Sequence, residues 1–168
     1  MLRKYLSKYK LVTVAIVISL LSMAVVFQLA SANFSELLQV RKQALVAING
    51  QLIQAGVASS PETRYRGLSG VTSICETCGL LFVFPDSQER FFVMRDMLFP
   101  IDIVFIEGGV VSHVESNLQP DPPGTNEQSR PLYASQGRAD RVLELPAGYA
   151  SKNQIKRGDQ ISMTIYEY

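Results

Sequence analysis

Apolar positions along this chain fall into one long block and a series of short ones. The long block is residues 11–30, LVTVAIVISLLSMAVVFQLA, twenty positions without a charge. About twenty apolar residues is the length a helix needs to cross a hydrocarbon core. The short blocks begin at residue 44 and have the lengths of strands. ALVAI (44–48) and QLIQAGVA (51–58) flank Asn49-Gly50, the strongest two-residue hairpin signal because both positions tolerate positive φ. GLLFVF (79–84), ended by Pro85-Asp86, RFFVM (90–94) and IDIVFIE (101–107) come next. Gly108-Gly109 turns IDIVFIE back into VVSHVES (110–116), a second hairpin. RVLELPAG (141–148) alternates as a strand, and Lys156-Arg157-Gly158-Asp159 turns the chain into a last strand, QISMTIYEY.

Between the strands the helical signals are brief. In SSPETRYRGLSG, Ser60 can cap, Pro61 takes the first helical position, Glu62 lies in the first turn, and Gly67 or Gly70 ends the helix. Tyr149–Ile155 has room for one helical turn, and the proline-rich stretch 118–133 reads as a long exposed loop. The expected fold is α+β and mostly β: a small barrel-like, rolled antiparallel sheet with one or two short helices, preceded by one N-terminal transmembrane helix. The expected divisions are a basic tail (1–10), a transmembrane anchor or signal segment (11–32), a connector (33–43) and a β domain (44–168).

Charge decides which way the long block points. Arg3, Lys4, Lys8 and Lys10 precede it with no acid among them, so the positive-inside tendency keeps the N-terminus in the cytoplasm and exports the rest. Ala30-Ser31-Ala32 also fits a signal-peptide cleavage site. The block exceeds the roughly 7–15 residues of a signal h-region, which favours a single-pass anchor in the cell membrane; cleavage after Ala32 would give a secreted protein. Both readings place the domain outside the cytoplasm. Four of the sixteen Lys and Arg residues precede the block, leaving twelve against all fifteen acids, a balance of about −3. Without a basic face, nucleic acid is not an expected partner.

Several blocks recur together in a pattern already known. The Asn-Gly hairpin is followed by RYRGLSG (64–70), GLLFVF, FVMRDMLFPIDIVFI (92–106), a proline-rich loop, RVLELPAG and IKRGD (155–159). In this order they resemble the domain of unknown function 192 family over roughly residues 44–165. The resemblance implies a small β-rich, barrel-like α+β domain, often behind a signal peptide or anchor, with no established activity. Where the family pattern has Phe-Trp-Met-Lys-Asn-Thr, this chain has Phe92-Val93-Met94-Arg95-Asp96-Met97; where it has Gly-Met-Leu-Phe, this chain has Gly79-Leu80-Leu81-Phe82.

Candidate chemistry is sparse. Cys75 and Cys78 are the only cysteines, spaced as C-x-x-C. That spacing suits a local disulfide in an oxidising compartment or a redox-active pair, but here it leads into a strand rather than a helix, which favours the disulfide. Asp102 interrupts the apolar run FPIDIVFI; it either faces water or needs a partner, for which Arg95 and Arg66 are the candidates. Arg66, Arg95, Asp96 and Asp102 form the candidate binding cleft, with Phe91, Phe92 and Phe99 as core or as walls. His113 is the sole histidine and takes no role; Glu144 and Asp159 read as strand-end or turn residues. No phosphate loop, His-Glu-x-x-His or Gly-x-Ser-x-Gly occurs, so neither cofactor nor metal is expected. The expected function is a non-catalytic envelope module binding a small ligand or another envelope protein. The alternative is a thiol oxidoreductase or redox sensor using Cys75 and Cys78.

Overall fold

The computed structural model describes residues 42–167. The expected anchor lies outside them, as does the connector except for its last two positions. Lys42 and Gln43 belong to the first strand, so the β domain starts two residues earlier than the sequence indicates. Among the described residues no helix is long and apolar enough to cross a membrane.

Seven strands make one sheet: β1 (Lys42–Ile48), β2 (Gln51–Ala58), β3 (Cys78–Phe92), β4 (Ile101–Glu107), β5 (Val110–Leu118), β6 (Tyr133–Pro146) and β7 (Ile161–Glu167). Two short helices accompany them, α1 (Pro61–Arg66) and α2 (Tyr149–Lys152), with a 3₁₀ turn at Glu127–Ser129. The spatial order is β5-β4-β6-β3-β2-β1-β7. Asn49 and Gly50 both have positive φ, at 48° and 74°, and close the β1–β2 hairpin as expected. Gly108 and Gly109 do the same between β4 and β5.

Two features correct the expected antiparallel barrel. The crossover through α1 brings β3 alongside β2 in parallel, with Gly56 opposite Leu80, so the sheet is mixed. Nor does the sheet close. Its edge strands β5 and β7 meet only where they start, through a single bridge between Val110 and Gln160 and a bond from Ile161 N–H to the Gly109 carbonyl of 2.8 Å.

One strand that the sequence divides is continuous. Pro85-Asp86 does not end β3; between Val83 and Gln88 the register to β6 shifts, as β3 places residues 84–87 where β6 places Asp140 alone. A bulge of this kind accepts proline because no ladder donor is required there. Its partner β6 begins at Tyr133, inside what the sequence presents as loop and polar chain.

Alternation sends side chains to two packed faces. Val46, Ile53, Leu81, Val104, Leu143 and Leu145 belong to one cluster, contributed by strands from both ends of the order, which is how a curled sheet buries its inner face. Leu80, Phe82, Ile103, Phe105 and Val142 alternate with these and are equally buried. Phe92 sits edge-on between Phe82 and Phe105 at 4.9 and 5.9 Å. His113 stacks against Phe105, and its Nε2 lies 2.9 Å from Glu115. On this second face the sheet is roofed by α1 and the loop that follows it, where Leu68 is buried.

Candidate ligand-binding cleft

The roof is held by a capping box rather than by helix length. Ser60 Oγ accepts from Thr63 N–H at 3.2 Å, and Thr63 Oγ1 accepts from Ser60 N–H at 3.1 Å. Pro61 occupies the first turn. Arg64 ties the helix to the sheet by donating to the Val83 carbonyl at 3.1 Å. The loop beyond is pinned by Ser69 Oγ, which donates to the Arg95 carbonyl at 2.7 Å, and by Gly70 N–H, which donates to the Asp96 carbonyl at 2.9 Å.

Between this roof and β3 lies an open cleft of about 620 Å³, within the usual range for small-molecule sites. Leu68, Phe82 and Met97 form its buried inner wall. Phe84 and Phe92 line the sides, while Tyr65 and Phe91, at 70% and 57% exposure, stand at the mouth. Four arginines border the space: Arg64, Arg66, Arg90 and Arg95. Arg90 lies 3.9 Å above the Phe84 ring and donates to the Ala139 carbonyl at 3.1 Å. Arg95 lies 4.3 Å above the Tyr65 ring and forms a two-pronged pair with Glu127. That pair raises the Arg95 guanidinium further and holds the Glu127 carboxyl below its ordinary value.

Glu144 reaches the same cleft from β6. It is 4% exposed, and its Oε2 finds no hydrogen-bond partner among the described residues. Burial alone pushes its carboxyl up to about 8. It is the residue that sequence reasoning missed. In R-V-L-E-L-P the glutamate looks like the polar position of an alternating strand, and only the central place of β6, between β3 and β4, shows that both its faces are covered.

The expected site residues part company. Arg66 and Arg95 line the cleft, and with Asp96 they also border an adjoining depression of about 650 Å³ under α1. Asp102 faces the opposite side of the sheet and lines neither. Its expected arginine partner is replaced by three backbone donors: Oδ1 accepts from Asn117 N–H at 2.7 Å and Gly148 N–H at 3.1 Å, and Oδ2 from Ala150 N–H at 2.8 Å. This acid defines the fold, fixing the start of α2 and the end of β5.

Cys75 and Cys78 are bonded to each other, with Cα atoms 5.0 Å apart, and neither lines the cleft. The pair leads into β3, so no helix N-terminus is present to favour a thiolate. Among the described residues no three His, Cys, Asp or Glu side chains are grouped as metal ligands.

Comparison with known proteins places this fold. Residues 44–163 match the profile of the domain of unknown function 192, described as "Uncharacterized ACR". No curated protein matches the chain. A Sinorhizobium meliloti 1021 protein, proposed in its description to be a transcription regulator, superposes with a TM-score of 0.64 at 23% identity, over 73% of this chain and 93% of that one. A protein of unknown function from Novosphingobium aromaticivorans DSM 12444 gives 0.63 at 23% identity, over 71% and 83%. At that identity the likeness concerns the fold.

Proposed function

This chain belongs to the domain of unknown function 192 family, and from its own site we propose that it is an extracytoplasmic, membrane-anchored module that binds a small ligand between α1 and β3. The observation that carries the proposal is the cleft itself: an apolar inner wall, aromatic sides and one buried polar group facing the space. Small-molecule sites combine a mostly apolar lining with a few placed polar groups in this way. The arginines at its border are fixed by carbonyls, aromatic rings or acids, which holds the mouth in shape before anything enters.

The anchoring half of the proposal rests on the uncharged block 11–30 behind four basic residues. The bonded cysteine pair agrees with an oxidising compartment. A nucleic-acid role, as proposed for the S. meliloti neighbour, has against it the −3 balance beyond residue 32.

The test is a fragment screen on the full-length chain in detergent micelles, read by the methyl resonance of Met97 against that of Met163 on β7. Ligands of the cleft should move Met97 and leave Met163 unshifted. A library of flat aromatic fragments that leaves Met97 unmoved at millimolar concentration would refute the binding reading.

A further inference from the structure

We propose that Glu144 serves as a protonated hydrogen-bonding group at the inner end of the cleft, and that the ligand presents to it a neutral carboxamide-like group on a flat apolar body. The inference rests on the ligand-binding reading and names the chemistry that would satisfy it. A buried polar atom without a partner is uncommon in a folded protein and asks for a reason. Here Oε2 of Glu144 is such an atom, and its residue lines an open cleft rather than a sealed core.

Three observations select the ligand class. The first is the acid's surroundings. Its cross-strand neighbours are Leu80 on β3 and Ile103 on β4, and the buried wall beside it is Leu68, Phe82 and Met97. Nothing there stabilises a charge, and burial alone raises the carboxyl to about 8, so at neutral pH it carries its proton. A protonated carboxyl offers one O–H donor and one carbonyl acceptor side by side. A primary carboxamide offers the complement, an acceptor beside a donor, so the two can close a paired set of hydrogen bonds.

The second observation is the charge around the space. The charged groups lining it are Arg64 and Arg66 of α1, Glu89 and Arg90 of β3, and Arg95 just beyond β3. Four cations against one acid disfavour the entry of an amine, the other partner a buried carboxyl would suit. The third is shape: Phe84 and Phe92 present flat apolar sides to whatever passes between them.

The experiment titrates three probes of one size into the full-length chain: benzamide, benzylamine and benzoate, followed at the Met97 methyl. Benzamide should bind best at about pH 6.5. Its affinity should fall about thirtyfold at about pH 9.5, the loss of protonated fraction for a group titrating near 8. Glu144→Gln, whose amide both donates and accepts, should keep benzamide binding and make it independent of pH. Glu144→Leu should lose it.

Benzylamine or benzoate binding in preference to benzamide, or undiminished benzamide binding by Glu144→Leu, would overturn the proposed ligand chemistry while leaving the cleft a binding site. So would benzamide binding that does not weaken at the higher pH, or its loss in a folded Glu144→Gln. Silence of all three probes, with a fragment screen that is also silent, would overturn both readings.

Discussion

Two buried acids on adjacent strands, Asp102 on β4 and Glu144 on β6, show how surroundings rather than residue type set a carboxyl's role. Asp102 accepts three backbone N–H groups and thereby holds two chain segments to the end of β4. Asp102→Ala leaves those buried donors unmatched, and urea unfolding should show a loss of about 3 kcal/mol, with ligand binding in any surviving folded protein unchanged. Glu144 accepts none of this help. Its carboxyl titrates near 4.5 when unfolded and about 8 when folded, so between those values the folded state holds the extra proton. Stability therefore falls as pH rises across that window, by a few kcal/mol, and levels off above it. Glu144→Gln removes the titration. Denaturation curves at pH 5 and 8.5 should differ for the natural protein more than for the variant, and parallel behaviour of the two would show that Glu144 is not buried as described.

At the scale of elements, the seam between β3 and β6 is the tightest contact in the sheet. A Cβ added at Gly79 would lie 2.7 Å from the Glu144 carbonyl oxygen, which is backbone and cannot swing away. Gly79→Ala should destabilise the domain by about 1–3 kcal/mol and, by pushing β6 outward, also disturb the Met97 signal. This gives a physical reason for the glycine that opens the GLLF block. The neighbouring disulfide closes a very short loop, worth about 2 kcal/mol at most through the unfolded chain. Replacing both cysteines by serine should lower the melting temperature by several degrees and leave binding in the cleft intact.

How much of this the sequence discloses depends on how local each cause is. The β1–β2 hairpin is legible because Asn49-Gly50 carries its own turn geometry, and α1 because Ser60 and Pro61 sit where caps sit. The continuity of β3 through Pro85 is not, since a bulge is recognised only once β6 lies opposite. The first half of β6, with its Gln136 and Gly137 at positive φ, reads as loop for the same reason. The cleft divides likewise. Arg66 and Arg95 stand out as cations beside aromatics, whereas Glu144 is distinguished from an ordinary outward-facing acid only by the strands on either side of it.

For the whole molecule, compartment is the property on which its chemistry turns. The described domain would fold its sheet in either environment, because its core depends on apolar burial and not on redox conditions. The cysteines would not behave alike in both. Cytosolic reductants keep a short-range pair with an exposed member, here Cys75, as thiols, while an oxidising envelope leaves it bonded. The N-terminal block makes an independent statement, since twenty uncharged residues behind four cations direct the rest of the chain across the bilayer. The two are tested together in whole cells. A membrane-impermeant alkylating reagent should label neither cysteine until a reductant is added, and the chain should remain with the membranes after carbonate extraction. The mass of the recovered chain then separates an anchor starting at Met1 from a secreted form starting at Asn33. A chain found in the soluble cytosolic fraction with both thiols free would remove the anchoring half of the proposal and leave the cleft to be judged on its ligands alone.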